Sequence, residues 1–331
     1  MRSATANPSA WSSRVWAIAK IAISVGILVF LLTRLNRADL LDRLARAQPL
    51  WLALALALYF LAIFLGVLKW YLLVRAQHIA VSFWELATFT FAGLFLGNLL
   101  PTNIGGDVVR ATMLARARNG TTEAATISVI VDRLLGLAAF FGIALISAGL
   151  AVGLVTRSSE LEAVQTATIL VAAIFALGGA LLFSRRIARL FTRAFAWGFI
   201  ARFKPVAARF YRALQVYRFN YRALAANSAL SASILVVATL VWYAVARAIH
   251  LDISILYFFL FNPLIAFVLL LPISFNGLGP KEATAVFFFG LVGVPGESAF
   301  ALSLLFHAIV VLTSLPGGWV VARTPIEKNE N

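Results

Sequence analysis

Two polar, glycine-rich interruptions break the apolar stretches of this chain: LLPTNIGGDVVR at residues 99–110 and LLPISFNGLGPKE at residues 270–282. Both begin with Leu-Leu-Pro, continue with small polar residues and glycines, and end with an acid and a base. One lies in the first third of the chain and the other in the last third. Paired Gly/Pro breaks at corresponding positions of two halves of a membrane protein indicate a transporter binding site. We therefore expect the functional residues to lie at these two breaks.

The composition is that of a polytopic membrane protein. Hydrophobic residues make up 62% of the 331 residues, and the mean hydropathy is +0.93. Several apolar runs reach the roughly 20 residues that a helix needs to cross about 30 Å of hydrocarbon. The run that begins at Val15 continues to Leu32 without a small-residue cleavage site, so we expect no removed signal peptide.

The side chains that catalysis or metal binding usually needs are scarce. The chain has no cysteine, which excludes disulfides and thiolate chemistry, and its three histidines are far apart in sequence. We therefore expect no metal and no cofactor. The net charge of +15 comes from Lys and Arg in short loops, which the positive-inside rule explains better than nucleic-acid binding does. Without a nucleotide-binding loop or a nucleophile elbow, a transporter is expected rather than an enzyme.

The apolar runs predict an all-α polytopic membrane protein that forms a single domain over residues 1–331. Six full transmembrane helices are expected, at about 14–33, 50–72, 124–154, 163–184, 225–249 and 298–322. Two further pairs of apolar arms, 83–118 and 254–294, flank the breaks, and their second arms have only 12 and 14 residues. Because such arms are too short to cross a bilayer, we interpret each pair as a re-entrant helical hairpin. Six spans and two hairpins then form an inverted-type repeat.

The distribution of positive charge indicates the orientation. Residues 185–224 carry ten Lys or Arg and no acid, so we expect this loop and both termini on the cytoplasmic side of a bacterial-type inner membrane. Within the loop, the Arg/Tyr spacing of 209–222 is typical of an interfacial amphipathic helix. The loop 34–49 argues against this orientation, because it would face outward with four arginines and two aspartates. In an alternative topology 83–100 spans the membrane fully, which reverses the N-terminal orientation.

The charged and polar residues at the breaks are the candidate binding residues. Asp107 and Arg110 follow the first break on one face of a helix, and a second acid and base follow the other break. Charges inside membrane segments are costly and mark function by default, so we expect a polar cavity for a charged or zwitterionic headgroup. Ion pairs that only hold helices together are the alternative. The candidate substrate-binding residues are Asn103, Gly105, Gly106, Asp107, Arg110, Asp132, Arg133, Ser274, Asn276, Gly277, Gly279, Lys281 and Glu282.

The glycines of both breaks precede the expected start of a helix. A helix N-terminus offers unpaired N–H groups and a positive dipole end, so two such ends near the membrane centre would form an anion site. Tight turns and close helix packing are the alternative reason for these glycines. Two further predictions are structural. Lys69 and Trp70 are assigned to an interfacial girdle, and His307 to a hydrogen bond between helices.

At four motifs the chain resembles the lysylphosphatidylglycerol synthase transmembrane family, also called flippase-like or UPF0104 proteins. The motifs are LPTNIGGDVVR at 100–110, DRLLGL at 132–137, PISFNGLGPKEA at 272–283 and LPGG at 315–318. Their order and the total length fit over nearly the whole chain. Members often have Glu at the position of Asp132 and Arg at that of Lys281. The resemblance implies an eight-element membrane domain that moves, or helps to move, amphiphilic lipids between leaflets. Fused members carry a soluble aminoacyl-transferase domain; we find none in this sequence and expect no lipid synthesis.

These observations favour an integral membrane lipid translocator whose cavity lies between the two broken hairpins. The expected partners are membrane lipids, namely a phospholipid, an aminoacylated lipid, a polyprenyl-phosphate or a hopanoid. Nucleic acid is not expected, and a lipid-synthesising enzyme is a candidate protein partner. Two alternatives stay open: a membrane-embedded enzyme that acts on a lipid-linked substrate, and a non-catalytic partner of a lipid-modifying enzyme.

Overall fold

The computed structural model describes residues 8–100, 105–154, 220–269 and 274–323, together with 166, 169–170, 173 and 216–217. The elements in this part of the chain are all helices, as the sequence predicts. They are α1 (Pro8–Arg34), α2 (Arg37–Ala45), α3 (Pro49–Ala76), α4 (Phe83–Leu99), α5 (Gly105–Ala117), α6 (Thr122–Leu154), α7 (Tyr221–Ala248), α8 (Ile255–Val268), α9 (Pro280–Gly290) and α10 (Gly296–Arg323).

Among the described residues, three helices are long and apolar enough to cross a membrane by themselves. These are α3, α7 and α10, each with 28 residues. The pair of α1 and α2 is a fourth candidate, bent by 99° at its break. The prediction of a membrane protein with several apolar helices is therefore confirmed. The expected span at 163–184 lies almost wholly outside the described residues, so six full spans and an inverted repeat stay predictions.

The segment after α1 is a helix, where the sequence predicted a loop at 34–49. Asn36 caps α2 by accepting hydrogen bonds from the backbone N–H groups of Ala38 and Asp39, at 3.1 and 3.5 Å. The Asn36 N–H in turn donates to Glu297 Oε1 at 3.0 Å, which ties the bend to the first turn of α10. Hydropathy alone missed this helix because four of its nine residues are charged.

Helices α4 and α5 are the two arms expected at 83–118, and they pack directly against each other. A Cβ atom on Gly106 would lie 2.5 Å from the carbonyl oxygen of Gly93, and one on Gly93 would lie 2.6 Å from the carbonyl oxygen of Gly106. Glycine at both positions is therefore what permits this approach of the two backbones. The connection at 101–104 lies outside the described residues. The arms are neighbours in the fold, whereas their re-entrance into the membrane stays a prediction.

Helices α8 and α9 are the corresponding arms at 254–294, and aromatic side chains hold them together. Phe261 of α8 stacks on Phe288 of α9, and it also meets Phe289 edge-on; both ring-centroid distances are 5.4 Å. Aromatic pairs at this distance contribute beyond the area that they bury. Residues 270–273 between the arms lie outside the described part, so the re-entrant turn itself is not tested.

The apolar core of the described residues has two main parts. One part joins α7, α8, α9 and α10, and in it Trp242 stacks on Phe306 with ring centroids 4.3 Å apart. The other part joins α3, α4, α5 and α6 around the fully buried Trp70. Helix α10 connects the two sides, because Gly317 lies against the backbone of Phe91 in α4.

Most of the basic segment 185–224 lies outside the described residues, so its cytoplasmic position stays a prediction. Tyr217, one of the tyrosines expected at the membrane surface, is buried instead. Its hydroxyl donates to the backbone carbonyl of Leu73 at 3.0 Å. A buried tyrosine hydroxyl needs such a partner, and this hydrogen bond joins Tyr217 to α3.

Replacing Gly317 with Ala is expected to destabilise the protein. The added Cβ would lie 1.9 Å from the Phe91 carbonyl oxygen, so α4 and α10 must separate. Overpacking of this kind costs about 1–3 kcal/mol, and the apparent Tm in detergent should fall by several degrees. Gly26→Ala in α1 is the matched control, because no atom lies within 4 Å of a Cβ at that position. An unchanged Tm for the Gly317 variant would contradict the contact between α4 and α10.

Candidate functional site

A cavity of about 450 Å³ lies among α3, α4, α5, α6, α7 and α8. Its lining combines five charged side chains with mostly apolar residues and glycines. Both breaks contribute to the wall, the first through Gly106 and the second through Asn276. The lining residues are Ala62, Ile63, Gly66, Lys69, Thr90, Gly93, Leu94, Gly97, Asn98, Gly106, Asp107, Arg110, Asp132, Arg133, Gly136, Leu137, Phe140, Ile234, Ala266 and Asn276.

Asp132 of α6 is the centre of a buried polar network on this wall. Its Oδ1 lies 3.2 Å from Lys69 Nζ and accepts a hydrogen bond from Asn227 Nδ2 at 3.0 Å. Its Oδ2 accepts from an Arg110 terminal nitrogen at 3.1 Å. The residue is only 2% exposed, so the carboxylate depends on these partners for its charge compensation. Four helices, α3, α5, α6 and α7, therefore meet at one carboxylate.

Asp107 of α5 forms the second carboxylate of the wall and joins two arginines. Its Oδ1 lies 3.0 Å from Arg110 Nε, and its Oδ2 accepts from Arg133 Nε. The Arg110 guanidinium also lies over the Trp70 ring, 4.8 Å from its centroid. Arg133 lines the cavity, and its side chain is 56% exposed, against 10% for Asp107. The sequence analysis predicted all of the charged residues that line the cavity except Lys69.

Lys69 is the cavity residue that sequence reasoning missed, and its assignment to an interfacial girdle is wrong. The predicted span ends at residue 72, but α3 continues to Ala76. Lys69 therefore lies seven residues before the helix end, about 10 Å along its axis at 1.5 Å per residue. Its Nζ also contacts Ser231 Oγ at 3.4 Å, and a Cβ on Gly136 would lie 3.3 Å from it. Trp70 is likewise buried, and its Nε1 donates to Ser128 Oγ at 3.0 Å.

Asn276 links the second break to the end of α4, just before the first break. Its backbone has φ of 48°, and its Nδ2 donates to Asn98 Oδ1 at 3.0 Å. The Nδ2 of Asn98 donates in turn to Ser314 Oγ of α10, at 2.8 Å. Before Asn276, the N–H of Phe275 donates to Ser24 Oγ of α1 at 2.9 Å. The segments beside the two breaks are therefore in contact.

Lys281 and Glu282 lie apart from the cavity, in a separate polar cluster between α9 and α10. Glu282 is fully buried; its Oε2 accepts from the Gly279 N–H at 2.7 Å, and its Oε1 accepts from Ser303 Oγ at 3.3 Å. Lys281 Nζ lies 3.4 Å from Glu282 Oε1 and 2.8 Å from His307 Nδ1. The expected interhelical hydrogen bond of His307 is therefore present. Because Glu282 takes an N–H donor at the start of α9, that helix end offers fewer donors to a ligand.

Only some of the candidate substrate-binding residues line the cavity. Gly106, Asp107, Arg110, Asp132, Arg133 and Asn276 line the cavity. Gly105, Ser274, Gly277, Gly279, Lys281 and Glu282 are not among its lining residues, and Asn103 lies outside the described residues. Gly277 and Gly279 have φ of 72° and 87°, so the turn before α9 requires glycine for its backbone alone. In the described part of the chain, no group of three or more His, Asp or Glu side chains could hold a metal ion.

Comparison with known proteins places these motifs in a family. The family model described as lysylphosphatidylglycerol synthase TM region matches residues 17–317. The chain belongs to this family. A UPF0104 membrane protein of Methanothermobacter thermautotrophicus is 26% identical over 299 residues, which cover 85% of this chain and 87% of the relative. A UPF0104 membrane protein of Pyrococcus horikoshii is 28% identical over 117 residues, 35% of each chain.

The match to the lysylphosphatidylglycerol synthase TM region contains both breaks and every residue of the cavity wall. The resemblance seen in the four motifs is therefore confirmed over nearly the whole chain. Membership in this family agrees with the apolar helices α3, α7 and α10, which lie mostly or wholly within the match.

Replacing Asp132 with Asn is expected to be strongly destabilising. The change leaves Lys69 and Arg110 buried without their shared carboxylate, and breaking one side of a buried ion pair costs about 3–5 kcal/mol. Asp252→Asn is the matched control, because Asp252 pairs with Arg247 at 3.1 Å but its side chain is 91% exposed. Thermal unfolding in detergent should separate the two variants clearly. Equal Tm values would contradict the role of Asp132 as a structural centre.

Proposed function

We propose that this protein is a lipid translocator that moves a charged or zwitterionic amphiphilic lipid between the leaflets of its membrane. The observation that carries the proposal is the cavity to which both breaks contribute, through Gly106 and Asn276. A cavity inside a helical membrane protein is where non-helical backbone is tolerated at membrane depth. The family's description names a lipid synthase TM region, which supports a lipid as the ligand.

The lining of the cavity suits an amphiphile. Lys69, Arg110 and Arg133 supply cationic groups for a polar headgroup, while Ile63, Leu137 and their neighbours supply an apolar surface. Charged groups are costly in hydrocarbon, so a headgroup crosses only if the protein replaces its water contacts. In this mechanism the headgroup moves through the polar cavity, and the acyl chains remain in the bilayer.

The ion pairs of the cavity support translocation over catalysis. A general base needs a carboxylate that is available to take a proton from a reacting group. Asp132 is held by Lys69 and Arg110, and Asp107 is held by Arg110 and Arg133. Both carboxylates are thus engaged in orienting cations. We assign them to the positioning of the cationic wall and assign no catalytic residue.

We further propose a bacterial-type inner membrane as the location, with both termini on the cytoplasmic side. The ten Lys or Arg of residues 185–224 support this orientation, because cytoplasmic loops carry the excess of positive charge. The same basic segment is the surface that we propose for contact with a lipid-synthesising enzyme.

A cavity-filling variant tests the proposed route. Ala266 of α8 lines the cavity, and Ala266→Trp places a large ring in its volume of about 450 Å³. We expect this variant, reconstituted in vesicles, to lose most of the leaflet exchange of a fluorescently labelled phospholipid. Exchange is measured as the fraction of label that a membrane-impermeant quencher reaches over time.

Leu312→Trp of α10 is the matched control, because Leu312 is 52% exposed and does not line the cavity. It should exchange lipid at the rate of the unmodified protein. Both variants are checked for an unchanged Tm and an unchanged elution volume. Full exchange by a folded Ala266→Trp protein would contradict the route, and no exchange by the unmodified protein would contradict the function.

A further inference from the structure

Among the described residues that line the cavity, the charges do not balance. Three of these side chains are cationic (Lys69, Arg110 and Arg133) and two are carboxylates (Asp107 and Asp132), which leaves a surplus of one positive charge. The separate cluster of α9 and α10 does not offset it, because there the lysine has its own glutamate at 3.4 Å. A cavity with a surplus of positive charge attracts an anion, because charges interact more strongly inside a protein than in bulk water.

Arg133 is the most exposed of the three cationic side chains. The Arg133 side chain is 56% exposed, whereas Asp107 is 10% and Asp132 is 3% exposed. Arg110, 10% exposed, is clamped between both carboxylates. A ligand that enters the cavity therefore meets a guanidinium before it meets a carboxylate. The acids lie behind the cations that they orient.

The geometry of Arg133 fits an oxyanion. Its ion pair with Asp107 uses the Nε donor, which fixes the plane of the guanidinium. The terminal nitrogens of an arginine present a rigid fork that matches the oxygens of a phosphate. A primary ammonium group has the opposite preference, because it needs a carboxylate and is repelled by the guanidinium. Reaching Asp107 would require such a group to displace an existing ion pair.

We propose that the cavity selects a phosphate ester of net negative charge, such as a phosphodiester headgroup without an amine, and disfavours headgroups of net positive charge. Arg133 is the residue that determines this preference. The inference deepens the proposed function and rests on it where the phosphate ester is a lipid. The shared chemistry is the phosphate oxyanion, which a lipid headgroup and a soluble phosphate compound both carry.

Three acyl-labelled lipids test the preference in vesicles that contain the purified full-length protein. They are phosphatidylglycerol, phosphatidylethanolamine and lysyl-phosphatidylglycerol, with net charges of about −1, 0 and +1 at neutral pH. We expect phosphatidylglycerol to exchange roughly tenfold faster than the lysyl lipid, because both carry the phosphate but the cationic wall repels the two lysyl ammonium groups. Equal rates for all three lipids would overturn the anion preference and leave translocation supported.

Variants of Arg133 assign the preference to this side chain. Arg133→Gln should slow phosphatidylglycerol exchange roughly tenfold and leave the lysyl lipid unaffected or faster, while Arg133→Lys keeps part of the preference. Arg116→Gln is the matched control, because Arg116 is an exposed arginine of α5 that does not line the cavity. An unchanged preference in a folded Arg133→Gln protein would overturn the assignment.

Binding of inorganic phosphate, measured by calorimetry on the detergent-solubilised protein, distinguishes the source of the anion. Phosphate binding that Arg133→Gln abolishes, combined with no exchange of any lipid, would support the anion site and overturn the lipid translocator. Phosphate binding together with preferential exchange of phosphatidylglycerol supports both proposals. Neither phosphate binding nor preferential exchange would overturn the anion site.

Discussion

The buried carboxylate of Asp132 is the constraint on which the rest of this structure depends. An ionised aspartate that is 2% exposed inside a helical membrane protein is stable only with close cationic partners. The cationic partners come from α3 and α5 and an amide donor comes from α7, so satisfying one side chain of α6 brings four helices together. Arg110 extends the network to Asp107, and Asp107 extends it to Arg133. The wall of the cavity is thus a consequence of compensating the charge of Asp132.

Close backbone contacts place the remaining helices around this network. At Gly93 and Gly106, α4 and α5 approach until a single methyl group would collide with a carbonyl oxygen. Gly317 lets α10 approach α4 in the same way. Because lipid tails are as apolar as the helices, such contacts rather than a hydrophobic driving force hold membrane helices together. They also set the end of α4 beside α10, where Asn98 reaches both Ser314 and Asn276.

The sequence predicted where the breaks, helices and charged residues lie better than it predicted which side chains contact each other. The two breaks, the helices that follow them and the charges in those helices were readable from glycine, proline and hydropathy. Which charges meet was not, because ion pairs between helices depend on packing rather than on spacing in the chain. Lys69 was misplaced because the end of α3 was set one turn too early, which moved the residue to the membrane surface. Nothing in the sequence marked Asn227 as a partner of Asp132, because an isolated amide in an apolar helix has many ordinary roles.

The two breaks look alike in sequence but differ in what their charges do. Each helix that follows a break carries an acid in its first turn, Asp107 in α5 and Glu282 in α9, where it favours the helix dipole. In α9, Glu282 pairs with Lys281 and accepts a hydrogen bond from the Gly279 N–H at the start of the helix, so these charges compensate each other. In α5 the acid instead orients two arginines toward a cavity. The second break contributes the neutral amide of Asn276 to the same space. The charges that follow the first break therefore line the cavity, whereas those that follow the second break pair with each other, and we propose that ligand recognition depends mainly on the first break.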